Sequence, residues 1–201
     1  MPEVKRSLGL IYAVNPFGAD HQSSEHDPAY EDDYEYYEPR MRQLDLLDPQ
    51  EPGSLTPEKV RFALYTEQLY SMLDSVNVCQ FVYGPSWHLY SSNQLVDMLN
   101  AVTGWDASLW ELMKVGERRI NMMRAFNTRE GFTREDDVLP PKLAQARTGG
   151  PSDGMAVPPE QIEQAKDLYY AMCGWDERGV PTRATLEQLG IGWVADTLAL
   201  D

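Results

Sequence analysis

The stretch from Thr56 to Val76 constrains the fold of this chain more than any other. Thr56 is a good helix N-cap, Pro57 suits the first helical position, and Glu58 complements the positive end of a helix. Phe62, Tyr65, Leu69, Met72 and Val76 then recur at intervals of three and four, which makes one apolar stripe. The spacing predicts a helix over 56–73 that must bury this face against other elements. Asp74-Ser75-Val76-Asn77-Val78-Cys79 follows at once, so a carboxylate and a thiol sit where the helix stops. Asn77 tolerates the left-handed conformation that ends many helices. On the residues alone, this is a helix end with a buried cysteine.

The same signals recur downstream. Ser91 or Ser92 caps a helix through about Val102, with Leu95, Val96, Leu99 and Val102 on one face and Gly104 closing it. Ser108-Leu109-Trp110-Glu111 is a capping box. It opens a stripe of Leu109, Leu112, Gly116, Ile120 and Met123 that reaches Phe126. A glycine in mid-helix costs about 1 kcal/mol against alanine, so Gly116 predicts a close approach of another backbone. Arg119, beside the stripe, is the charge of this helix expected to be buried. Pro159 starts a helix through about Met172, with Ile162, Ala165, Tyr169 and Met172 inward, and Thr182 caps a last short one. The apolar run Leu8–Val14 is too short for periodicity to separate strand from helix. The expected fold is all-α, an irregular multi-helix bundle without a convincing strand pair. Its expected parts are an acidic lead-in over 1–55 packed on the helical core, a main helical domain over 56–143, a Gly/Pro-rich linker over 144–157, and C-terminal helices over 158–201 on the same core.

Charge and composition remove several function classes. The net charge of −15 over 201 residues argues against nucleic acid or an anionic membrane surface as partner. No run approaches the roughly 18 apolar residues of a membrane span, and no apolar signal-peptide core follows the N-terminus. The expectation is a soluble, cytoplasmic chain. Between Glu25 and Glu51, ten acids face only Arg40 and Arg42. This segment reads as an irregular surface excursion with one helical turn near Met41–Leu47, and it lacks the Asp-x-Asp-x-Asp-Gly spacing of a calcium loop. His21 and His26 lie among carboxylates but not at a helical ligand spacing. A solvated loop is therefore favoured over an independent metal site or a stand-alone metallohydrolase. A Cys79–Cys173 disulfide is disfavoured for a chain without a secretion signal. Tyr83, Trp87 and His88 read as core aromatics ahead of pocket liners.

Several segments, in order, resemble the C-terminal part of the tungsten-containing aldehyde:ferredoxin oxidoreductase family. Asn15-Pro16-Phe17-Gly18-Ala19-Asp20-His21 is similar to its N-x-x-G-A-D-H stretch. Gly116–Asn121, Phe126–Asp137 and Leu139-Pro140 resemble its long helix and loop. Tyr169-Tyr170, Gly174-Trp175-Asp176 and Gly179-Val180-Pro181-Thr182 resemble its closing segment. The resemblance implies that Asp74–Cys79 corresponds to Asp-x-x-Gly-Leu-Cys, with Asn77 and Val78 replacing Gly and Leu. Asp74 would then contact a pterin of a tungsten (or molybdenum) bis-pterin cofactor, and Cys79 would be one thiolate ligand of a [4Fe–4S] cluster. His21, with His26 second, would handle protons near the metal. The implied reaction oxidises an aldehyde with water to a carboxylate and passes two electrons through the cluster to ferredoxin.

The family's other three cluster cysteines, a Cys-x-x-Cys-x-x-x-Cys group, belong to a region that this sequence does not contain. The expectation is a C-terminal portion that needs the missing N-terminal cofactor-binding region and alone binds neither cofactor stably. The alternative is a cofactor-free helical interaction module derived from that family. Ferredoxins are typically acidic, so the acidic segment would repel one, and docking is expected elsewhere.

Overall fold

The computed structural model describes residues 2–31, 35–86 and 89–199. Asp32, Asp33 and Tyr34 of the acidic run, and Trp87 and His88, lie outside the described residues. The described residues form nine α-helices: α1 (Arg6–Val14), α2 (Glu38–Met41), α3 (Pro57–Ser75), α4 (Gln80–Tyr83), α5 (Ser92–Thr103), α6 (Leu109–Arg129), α7 (Pro159–Cys173), α8 (Arg183–Gln188) and α9 (Gly192–Leu198). Short 3-10 turns punctuate the connections. The only β-type pairing among the described residues is an isolated bridge between Trp175 and Pro181. The fold is all-α, and the ambiguous run at Leu8–Val14 is helical.

The predicted caps form. Thr56 accepts a hydrogen bond from the Lys59 backbone N–H at 3.3 Å, while Ser91–Gln94 and Ser108–Glu111 each close a reciprocal capping box. Each such cap contributes about 1 kcal/mol by satisfying an N–H that has no partner within the helix. Gly104 and Gly174 end α5 and α7 in the left-handed conformation.

The two longest helices, α3 and α6, cross at Gly116. A Cβ built on Gly116 would stand 1.9 Å from the Gln68 carbonyl oxygen of α3, so only glycine permits this separation. Ser71 Oγ seals the crossing by donating to the Gly116 carbonyl at 3.0 Å. Around this axis, Leu10, Ile11 and Val14 of α1 pack with Val60, Ala63 and Leu64 of α3, Ile120 of α6, and Ile162, Ala165 and Tyr169 of α7. Leu143 and Val157, which flank the Gly/Pro-rich stretch, are buried in this same cluster, and the Val157 N–H donates to the Leu143 carbonyl at 2.8 Å.

Three expectations change. The acidic segment is not a surface excursion throughout. Tyr30, Met41, Leu44 and Leu46 are buried against Phe62, Leu69 and Met72, because tyrosines and scattered aliphatics supply apolar surface that charge counting overlooks. Asp27 is fully buried: it accepts from Ser7 Oγ at 2.7 Å and pairs with the equally buried Lys59 at 3.0 Å. Arg124, five residues beyond Arg119, is the buried charge of α6. It is 2 % exposed and makes two hydrogen bonds to Asp137 at 2.8 and 2.7 Å. Its Nε donates to the Gly179 carbonyl at 2.7 Å, and its guanidinium lies 5.0 Å from the Trp175 ring centroid. At the ends of the apolar stripes, Val102, Phe126 and Met172 are exposed, whereas Cys173 is buried.

Candidate functional site

The end of α3 has a definite chemistry. Asn77 sits at φ +60°, its N–H donates to the Asp74 carbonyl at 3.1 Å, and the Val78 N–H reaches back to the Leu73 carbonyl at 3.0 Å. This pair of bonds is a Schellman cap with asparagine where glycine is usual. It reverses the chain, so that Cys79 starts the short α4, whose Val82 and Tyr83 N–H groups donate to the Cys79 carbonyl. Cys79 is exposed and its thiol is free, which corrects the expectation of a buried cysteine. The left-handed residue turns the chain out of the core before Cys79 is reached. The Asp74 side chain is 58 % exposed and pairs with Arg119 of α6 at 3.2 Å. Arg119 also donates to Ser71 Oγ at 3.2 Å, so the crossing at Gly116 positions the cation beside Asp74.

The loop 15–23 closes the other side. Asn15 Nδ2 donates to the Gly18 carbonyl at 3.0 Å and to Ser23 Oγ at 2.6 Å, and Ser23 Oγ donates to Asp20 at 3.0 Å. Asn127 Nδ2, from the C-terminal part of α6, holds the Pro16 carbonyl at 2.8 Å. Gln22 meets Gln80 at 2.6 Å, which ties the residue after His21 to the residue after Cys79. The structure therefore gathers the loop carrying His21, the α3 end carrying Asp74, and the turn carrying Cys79. Between the loop, α3 and α6 is a cleft of about 20 Å³ lined by Asn15, Asp20, Glu67, Ser71, Asp74 and Arg119, among others; Asp74 lines it, and His21 and Cys79 do not.

The two histidines differ in what they leave free. Lys5 Nζ lies 3.1 Å from His26 Nδ1, and an ammonium can only donate, so Nδ1 accepts. His26 Nε2 then carries the proton and donates to the His21 carbonyl at 3.0 Å. Both nitrogens of His26 are engaged. His21 uses one nitrogen, Nδ1, which stands 2.9 Å from the Tyr12 hydroxyl. Burial first, then the neighbouring His26 and Lys5, hold the His21 pKa below its usual value, which favours the neutral ring.

Glu67 is a site residue that sequence reasoning missed. It is buried, and the Tyr169 hydroxyl donates to its Oε2. Burial pushes its carboxyl up to about 8, against the lowering effect of the Tyr169 hydrogen bond. The available signal was spacing: Glu67, Ser71 and Asp74 fall on one face of α3 at i, i+4 and i+7. A larger depression of about 530 Å³, lined by Tyr65, Trp110, Met113, Lys114, Cys173 and Gln188 among others, does not include His21, Asp74 or Cys79. Among the described residues, no group of three or more His, Cys, Asp or Glu side chains is arranged to hold a metal ion.

Comparison with known proteins fixes the lineage. Residues 1–191 match the family described as aldehyde ferredoxin oxidoreductase, domains 2 and 3. The chain belongs to the aldehyde ferredoxin oxidoreductase family. It is 32 % identical over 144 residues to the tungsten-containing aldehyde ferredoxin oxidoreductase of Thermococcus kodakarensis, a match covering 70 % of this chain and 22 % of that protein. The namesake enzyme of Pyrococcus furiosus is 31 % identical over the same shares. From P. furiosus, too, the aliphatic sulfonate oxidoreductase, WOR-like subunit, is 32 % identical over 136 residues, covering 64 % of this chain and 21 % of that one. Among solved structures, the active site complex BamBC of benzoyl coenzyme A reductase with 1,5-dienoyl-CoA superimposes with a TM-score of 0.56 at 26 % identity. That match covers 69 % of this chain and 20 % of the other. The chain thus matches about a fifth of the length of these aldehyde ferredoxin oxidoreductase relatives.

The family-like closing segment turns out to be a lock on α6. Tyr170 donates to Asp137, Trp175 Nε1 donates to Asn121 Oδ1 at 2.8 Å, and Gly179 receives Arg124. These residues hold the helix whose Arg119 faces Asp74.

Proposed function

We propose that this chain is the C-terminal helical wall of the cofactor site in a tungsten or molybdenum enzyme that oxidises aldehydes to carboxylates. The observation that carries the reading is the α3 end. There the Schellman cap leaves the Asp74 carboxylate and the Cys79 thiol exposed beside the loop that carries His21, while the flanking helix is packed.

The donor set fits the groups that the family implies. Asp74 keeps a half-exposed carboxylate, an acceptor for the ring N–H groups of a pterin. Cys79 offers one free, exposed thiol, suited to supply one of the four thiolates that an iron–sulfur cluster takes. When bound, the metal–pterin centre would supply the two-electron redox chemistry and the cluster a route for electrons to ferredoxin. The chain's own residues orient and neutralise. Arg119 balances Asp74, and the neutral His21 ring is suited to accept a proton released as aldehyde and water become carboxylate. His21 is preferred to His26 because His26 spends both ring nitrogens on Lys5 and the His21 carbonyl.

The test is co-production with the N-terminal region that carries the remaining cysteines, followed by metal analysis of wild type and of Cys79→Ala and Asp74→Asn. The reading expects Cys79→Ala to lose most of its iron and Asp74→Asn to weaken pterin retention. If neither variant changes metal or pterin content, the cofactor-free interaction module is the better description.

A further inference from the structure

Cys79 begins a segment that the core does not hold by burial. Cys79 is exposed, and α4, which follows it, has no buried residue. Val78 before it and Tyr83 at its end pack only partly against the apolar cluster that includes Met72 and Leu73. Burial resumes at Gly84 and Pro85.

Two polar ties supply what burial does not, and both come from the loop that carries His21. At the start of α4, Gln80 Nε2 donates to Gln22 Oε1 at 2.6 Å. Beyond its end, the Ser86 backbone N–H donates to Glu25 Oε2 at 3.0 Å. Glu25 is only 2 % exposed. Its Oε1 accepts the His26 N–H at 2.9 Å, and its Oε2 also accepts the Tyr70 hydroxyl of α3 at 2.8 Å. A carboxyl group so deeply buried is tolerated only where donors satisfy it. Here the donors come from the loop, from α3 and from the segment after α4, so one side chain fixes three pieces of chain relative to each other. The loop is in turn held from its own side: the Gln22 N–H donates to Asp20 Oδ1 at 3.1 Å, and His26 Nε2 and the Tyr12 hydroxyl engage His21.

We propose that Gln22 and Glu25 are positioning residues for Cys79, and that through them the Cys79 turn and the His21 loop behave as one unit. The ties to Gln80 and Ser86 bracket α4, so they set the direction in which the residue heading α4 presents its thiol. The functional sense of the proposal rests on the reading of Cys79 as a cluster ligand and His21 as a proton acceptor. A ligand and a proton acceptor that serve one site work only while supporting hydrogen bonds hold their relative placement.

The test begins with amide hydrogen exchange and histidine-ring NMR on the chain itself. Gln22 and Gln80 are partly exposed, so Gln22→Leu, Gln80→Leu and the double variant keep the fold. Each single variant should speed exchange at the Val82, Tyr83 and Gly84 amides roughly three- to tenfold, the effect of losing one ordinary hydrogen bond. The double variant should add nothing, because both substitutions remove the same bond. Gln80→Leu should also move the His21 ring resonance, although residue 80 is remote from it in sequence. Glu25→Ala should speed exchange at Ser86. Where that variant does not fold, Glu25→Gln gives the same reading with a smaller change, since charge-assisted hydrogen bonds are roughly twice as strong as neutral ones. Unchanged exchange, or additive effects of the two leucine substitutions, overturns the ties. In the assembly with the N-terminal region, Gln80→Leu should keep its iron and alter the electron paramagnetic resonance signal of the reduced cluster. Faster exchange with an unmoved His21 resonance, or with an unaltered cluster signal, overturns the positioning role and leaves the ties as anchors alone. A wild-type assembly without iron would sink the cofactor reading, and the exchange and His21 readouts would still decide whether the two parts are joined.

Discussion

Asn77 holds a φ of +60° so that Val78 can return a hydrogen bond to Leu73 and Cys79 can leave the core. The left-handed region costs an ordinary L-residue roughly 1–2 kcal/mol, asparagine less, and glycine almost nothing. Asn77→Gly should therefore stabilise the chain slightly, and Asn77→Val should destabilise it by about 1–2 kcal/mol, as read from denaturant midpoints. Glu67 sets a second prediction at this scale. Its folded pKa lies above its unfolded value, near 8 against 4.5. Its favourable contribution is thus complete below pH 4.5 and is lost as pH rises through about 8. Wild type should lose a few kcal/mol of stability relative to Glu67→Gln across that window, and parallel curves for the two proteins would contradict the assignment. Spacing puts Glu67 on the face of Ser71 and Asp74, but its burial against Tyr169 was not legible in the sequence. Tyr169 stands 102 residues away, and one glutamate on an amphipathic helix looks like any other until the partner helices are placed.

At the level of elements, the crossing of α3 and α6 does most to arrange the candidate site. Gly116 lets Gln68 approach, Ser71 bridges the crossing, and Arg119 then reaches Asp74. In an isolated helix, Gly116→Ala would gain about 1 kcal/mol of propensity. Here the new Cβ meets backbone, so the variant should instead be destabilised by about 1–3 kcal/mol, measured by thermal or chemical unfolding; a neutral or stabilising result would contradict the close crossing. This much was readable in advance, because a glycine in the middle of an apolar stripe weakens its helix and is offset only where a neighbouring backbone needs the space. The caps at Thr56, Ser91, Ser108 and Thr182 were readable because each is a local rule obeyed by residues within four positions. Which arginine of α6 is buried was not. Arg119 and Arg124 both border the stripe, and only the distant Asp137, Gly179 and Trp175 select Arg124. The packing of Tyr30, Met41 and Leu46 under the acidic segment was hidden likewise, since those side chains follow no period.

The molecule as a whole buries three apolar clusters among the described residues and leaves several large apolar side chains exposed. Phe17, Trp110, Phe126, Phe132 and Trp193 are exposed large apolar side chains. Phe17 lines the cleft beside Asp74, which suits a face that the rest of a cofactor enzyme would cover. No helix among the described residues is long and apolar enough to cross a membrane, and the chain matches 22 % of the length of its Thermococcus relative. The proposed wall of a shared site would supply, in Cys79, one exposed thiol toward the four thiolates that a cluster takes. The most direct test is iron and tungsten content measured on the chain alone, on the chain assembled with its N-terminal counterpart, and on the same assembly carrying Cys79→Ala. The account predicts no stoichiometric metal in the chain alone, both metals in the assembly, and loss of most iron in the variant. Stoichiometric metal in the chain alone, or full iron retention by Cys79→Ala, would contradict it.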